Sequence, residues 1–142
     1  MATSAWYKFN AFSGDLIAGI HDFDAHTFKI ALTNATPVAA YVNLLAITQI
    51  TATGGYTAGG SATTISIDEV AGTTLVNGTE VVFTGTGAGF GPFQYAVLYN
   101  DTATGDPLIA WFDYGGEISV AAGDTFTLRF STSSPGAMFS LV

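Results

Sequence analysis

The chain has 142 residues, 49% of them hydrophobic and only 10% charged; three basic residues (Lys8, Lys29, Arg129) face eleven acidic ones, for a net charge of −8. Three scattered cations argue against direct binding of nucleic acid, whose phosphates demand a basic patch, and the negative charge argues against anionic membranes. With no cysteine there is no disulfide, no thiolate zinc site and no thiol nucleophile.

At the N-terminus no basic run precedes an apolar core, so no secretory signal is expected and the protein is expected to be made in a cytoplasm. Phe9, Phe12, Leu16, Ile17 and Ile20 recur at three- and four-residue intervals, which predicts a short amphipathic helix from Trp6 to about Gly19. The segment His21-Asp22-Phe23-Asp24-Ala25-His26 holds both histidines. If it is extended, Asp22, Asp24 and His26 share one face as a metal trio. The competing reading is a polar loop with Asp caps, and it is preferred because no second ligand cluster supports the trio.

Thr27 to Thr33 alternates, with Phe28, Ile30 and Leu32 on one face, and reads as a half-buried strand. The longest apolar stretch, Pro37 to Ile47, is interrupted by Asn43 and is too short to span a bilayer. Asn43 to Ile50 fits either a short helical turn or a strand. Thr53-Gly-Gly-Tyr56 and Ala58-Gly-Gly-Ser61 are turn or bulge signals. Thr63 to Val70 alternates, with Ile65 and Ile67 together. Gly72–Val76 and Thr79–Thr84 flank Asn77-Gly78, a strong two-residue hairpin signal.

Gly85-Thr-Gly-Ala-Gly-Phe-Gly91 resembles a phosphate-cradling loop only superficially. Its sixth position is Phe90, and Pro92 and a strand follow where a helix is needed, so it reads as a flexible connector. Two aromatic-rich runs follow, around 93–100 and 107–114, and are expected to pair. Tyr95, Val97 and Tyr99 fall on one face of the first; Leu108, Ala110, Phe112 and Tyr114 fall on one face of the second. Asn100 to Asp106 has turn composition. Glu117–Val120, Asp124–Ser131 and Ala137–Val142 complete the strands, with Phe126, Leu128 and Phe130 as one core-facing row. Asn-X-Thr sequons at Asn34, Asn77 and Asn100 read as turn chemistry.

Short strands at this spacing predict a mainly β fold, a jelly-roll-like β-sandwich with a short N-terminal helix, in a single domain over 1–142 (helical segment 1–20, sandwich 27–142). Asp113 and Glu117 are the nearest approach to a glycosidase pair, which requires carboxyls about 5–9.5 Å apart across a cleft. Acidic turn residues are the commoner explanation. No catalytic residue, cofactor or metal site is therefore expected, and the chain is not expected to be an enzyme. The charge deficit instead suits a subunit packed against others, because charged side chains are depleted at interface cores. Trp6 and Tyr7, and Phe90 and Phe93 beside the glycine loop, are the candidate interface residues.

The runs Tyr95-Ala-Val-Leu-Tyr-Asn-Asp-Thr-Ala103 and Asp106-Pro-Leu-Ile-Ala-Trp-Phe-Asp-Tyr-Gly115, with Lys8-Phe-Asn10, Thr27 to Asn34 and Gly55-Tyr-Thr-Ala-Gly-Gly60, resemble small structural proteins of tailed bacteriophages along nearly the whole chain. The resemblance implies a virion protein, with a capsid decoration (cement) subunit favoured. It would bind the major capsid protein and copies of itself, with a trimer suiting local threefold positions. A tail component (tube, baseplate or fibre-associated) is the first alternative. A carbohydrate- or receptor-binding module is the alternative from another class.

Overall fold

The computed structural model describes residues 6–130 and 136–142. Met1 to Ala5 of the expected helical segment, and Ser131 at the end of an expected strand, lie outside the described residues. The fold is mainly β with antiparallel sheets. Strands β1 (Trp6–Lys8), β8 (Leu108–Val120), β7 (Phe90–Asn100), β2 (Phe28–Thr33) and β3 (Ser61–Thr63) lie side by side in that order in a five-stranded sheet. A second sheet runs β10 (Gly136–Leu141), β5 (Thr73–Gly78), β4 (Ile65–Val70); a third pairs β6 (Val81–Thr84) with β9 (Thr125–Leu128).

The main core cluster draws on all three sheets. Phe28, Ile30, Leu32, Ala96 and Leu98 from the large sheet meet Val76 and Met138 from the second, and Val81, Phe83 and Leu128 from the third. Phe126 and Phe130 pack against its margin, so the row read from strict alternation in 126–130 does face the core. On the opposite face of the large sheet, Phe9, Ala31, Ile47, Val97, Tyr99 and Leu108 form a second cluster. Strand β2 is therefore buried on both faces, and the half-buried reading was too modest. Small, apolar Ala31 permits this, and Thr33 satisfies its hydroxyl by donating to the Thr48 carbonyl at 2.5 Å.

The predicted helix is the largest correction. Trp6–Lys8 forms edge strand β1, paired with β8 through Trp6↔Phe112 and Lys8↔Ala110; only Phe12–Ile17 is helical (α1). Phe9 and Phe12 are buried, but Ile17 is 88% exposed, so the apolar spacing combined a residue before the helix, a helical turn and a half, and a residue beyond it. The second correction is the hairpin turn. Asn77-Gly78 lies inside β5, where Gly78 pairs with both Gly136 and Ile65. A Cβ there would come within 2.7 Å of the Phe130 ring, so the glycine serves packing. The turn is instead Ala71-Gly72, both at positive φ (52° and 84°), between the paired residues Val70 and Thr73. That is the handedness a two-residue hairpin needs. Ala71 bears a left-handed backbone cost, so Ala71→Gly should raise unfolding free energy by about 1 kcal/mol; chemical denaturation checks this.

Strand β7 pairs with β8 as expected, but β8 is bulged twice. Leu98 pairs with Ala110 and Tyr99 with Leu108, so Ile109 is the extra residue. The bulge returns Leu108 to the second cluster while Ile109 and Ala110 face the main one. Leu108 and Ala110 thus do not share a face. A wider bulge between Asp113 and Ile118 absorbs Tyr114 to Glu117, which merges two expected strands into one.

Candidate functional site

Of the four candidate interface residues, two lie in the core. Phe90 and Phe93 are 4% and 1% exposed, and their rings stack at 5.9 Å. They cannot offer surface to a partner in this conformation. The glycine loop beside them is not free to swing. Gly85 N–H donates to the Asp124 carbonyl, Gly123 N–H to the Gly85 carbonyl, and Thr86 N–H to the Gly54 carbonyl, all at 2.8–2.9 Å. Trp6 is half-buried, with its ring edge-on to Phe12 and Phe112 at 6.4 and 6.1 Å. Strand alternation turns its neighbour Tyr7 to the other face, where it is exposed and stacked on Trp111 at 5.3 Å.

That stack borders the second cluster, and a patch that sequence reading missed surrounds the cluster. Tyr41, Leu44 and Trp111 pack on it half-buried. Val38, Val42 and Leu45 are exposed, Leu45 by 91%. Backbone bonds hold this 38–47 segment against the sheet: Leu108 N–H donates to the Val42 carbonyl (3.0 Å), Leu44 N–H to the Asp106 carbonyl (3.0 Å), and Asn10 N–H to the Ala39 carbonyl (2.9 Å). The available sequence signal was long: from Ile30 to Ile67 there is no charged residue. An exposed, anchored, uncharged apolar surface is the composition of an interface core.

The histidine segment forms a compact loop. His26 N–H donates to the Asp22 carbonyl (2.9 Å), and Asp22 Oδ1 accepts from the Asp24 and Ala25 amides. The extended trio of Asp22, Asp24 and His26 is therefore not built, and among the described residues no group of three His, Cys, Asp or Glu side chains is placed to hold a metal. Asn100 organises the loop instead. Its Oδ1 accepts from the Thr102 and Ala103 amides, which fixes the orientation of the side-chain amide. Its Nδ2 must then donate to Nδ1 of His21 (3.2 Å) and Nδ1 of His26 (3.0 Å). Both rings thus carry their proton on Nε2, and His21 Nε2 is buried without a hydrogen-bond partner.

Burial lowers the His21 pKa, the Asp15 carboxylate opposes this more weakly, and His26 adds to the lowering. The sign follows. The unfolded chain binds the proton more readily, so this contribution to stability is complete above the ordinary histidine value of 6.5 and is lost as pH falls through the depressed folded value. Unfolding free energy should therefore drop below pH 6.5, by no more than about 1.4 kcal/mol per pH unit for one proton. A His21→Gln variant measured across the same range should lose that slope.

Asp113 and Glu117 flank the wide bulge of β8. Asp113 Oδ1 accepts from Gln94 Nε2 (3.0 Å) and the Gly115 amide (2.8 Å); Glu117 Oε1 accepts from Asn34 Nδ2 (2.7 Å). These bonds shape the bulge. Burial pushes the phenols of Tyr56 and Tyr99 up, and both hydroxyls are tethers: Tyr99 donates to the Gly59 carbonyl (2.6 Å) and Tyr56 to Gln49 Oε1 (2.7 Å). Among the described residues no helix is long and apolar enough to cross a membrane. The chain matches no protein-family model, no curated protein and no solved structure.

Proposed function

We propose that this chain is a non-enzymatic bacteriophage virion subunit, a capsid decoration (cement) protein made in the host cytoplasm and carried on the virion. In this reading the large sheet and the two smaller sheets are the layers of a jelly-roll-like sandwich, and the whole chain is one domain. The observation that carries the role is the anchored apolar patch around the Tyr7–Trp111 stack, exposed in a chain with almost no surface charge to spare. Tyr7, Val42 and Leu45 would meet the major capsid protein, and copies of the chain would gather as a trimer at local threefold positions. Each contact need only be modest, because many copies act together. A ligand that binds only the assembled lattice stabilises that lattice by mass action.

Particles lacking the protein should form normally but rupture at a lower temperature than wild-type particles. Tyr7→Ala with Leu45→Ala should lower occupancy while the free chain stays folded, since both side chains are exposed. Null particles without tails, or with defective tubes, would replace the decoration role by the tail alternative. Full occupancy by the double variant would remove the patch from the interface.

A further inference from the structure

On a different face from that patch, α1, the 19–24 loop and the second sheet enclose an open hollow of about 370 Å³. Its apolar lining includes Leu16, Phe23, Ile67, Phe139 and Leu141. Ile67 and Leu141 are about half exposed, which a folded chain gains nothing by displaying. Asp22 and Asp24, both exposed, stand on one rim. Across the sheet Glu69 pairs with Thr74, another lining residue. His21, buried and with Nε2 unpartnered, also lines the hollow. Strand β4 closes one side and is the edge of its sheet, exposed from Ser66 to Val70.

We propose that this hollow docks an extended segment of a different protein, one that alternates apolar residues with lysine or arginine. The segment lies over the face of the sheet, so that its apolar side chains fill the floor and its alternate side chains, the cations, turn toward the carboxylates of Asp22 and Asp24 on the rim. Charge excludes a second copy as the occupant. This chain has three cations, and all are engaged internally: Lys29 with Asp101 (2.8 Å), Arg129 with Glu80 (2.6 Å), and Lys8 with Ser13 Oγ (2.8 Å). A copy carrying −8 would bring further negative charge to an acidic rim.

The test uses the full chain, isotopically labelled, titrated with the peptide acetyl-Leu-Lys-Val-Lys-Ile-amide and with the same peptide carrying Glu for Lys. The lysine peptide should shift the amide resonances of Phe23, Ile67, Thr74 and Leu141, and the glutamate peptide should not. Asp22→Asn with Asp24→Asn keeps the Oδ1 cap of the loop and should weaken binding by about tenfold, the value of two exposed ion pairs. Ile67→Lys with Leu141→Lys, at exposed positions that leave the fold intact, should abolish the shifts. The proposal is overturned if neither peptide acts at millimolar concentration, if both act equally, or if the shifts lie elsewhere. It is also overturned if sedimentation shows dimers that Ile67→Lys dissolves, which would make the occupant a second copy.

Discussion

Phe93→Ala should destabilise the isolated chain by about 3–5 kcal/mol, the usual cost of deleting a fully buried aromatic ring. Phe93 is 1% exposed, stacks with Phe90 and meets the Phe126 ring edge-on at 4.9 Å. Chemical denaturation of the free protein measures this without any partner. An unchanged midpoint would put Phe93 at the surface and restore it as an interface residue. Leu45→Ala, by contrast, should leave the midpoint where it is, because Leu45 is almost wholly exposed.

Asn100→Ala should cost about 3 kcal/mol, because one truncation removes four hydrogen bonds, one to buried His21 and three to part-buried groups, each worth about 0.5–1.5 kcal/mol. Asn100 is fully buried and serves four partners: two backbone amides and two imidazole nitrogens. Asn100→Asp separates acceptor from donor. The carboxylate still accepts from Thr102 and Ala103 but asks both histidines to donate from Nδ1. The His21 pKa, depressed in the natural chain, should then rise above 6.5. An NMR titration of the ring protons reads this directly; a His21 pKa that stays depressed in Asn100→Asp would dissolve the assigned network.

Alternation was a sound guide wherever the backbone stayed regular. The faces of 28–32, 95–99 and 126–130 are those the sequence pattern predicts, because a two-residue period leaves little freedom once one face is buried. It failed in β8, because a bulge changes the face without changing composition. Leu108 and Ala110 read as sharing a face until Ile109 is taken up as the extra residue of the bulge. Turn propensity failed at Asn77-Gly78 for a related reason. Local preference for a turn was overruled by the pairing of Ile67 with Val76 and by the close approach of Phe130 to Gly78. Trp6 to about Gly19 mimicked a helix because the apolar residues of a turn, a short helix and the loop after it, Phe9, Phe12, Leu16, Ile17 and Ile20, happen to be spaced by three and four.

The candidate surface was only partly legible. Of the aromatic candidates, Tyr7 is exposed while Phe90 and Phe93 are buried, since aromatic residues fill cores and interfaces alike. The patch of Val38, Val42 and Leu45 contains no aromatic residue and no motif, and its one sign in the sequence is the absence of charge across Ile30 to Ile67. Asn100 looked like turn chemistry, and it is. Its second role as a clamp on two histidines depends on contacts 74 and 79 residues apart in sequence, which no local motif encodes.

The most direct test of the decoration role is a reconstruction of the intact virion with this chain fitted to density. The account predicts copies on the outer capsid surface at local threefold positions, with Tyr7, Val42 and Leu45 turned toward the shell. Density for the chain along the tail, inside the shell, or on the capsid with that patch facing solvent would contradict it.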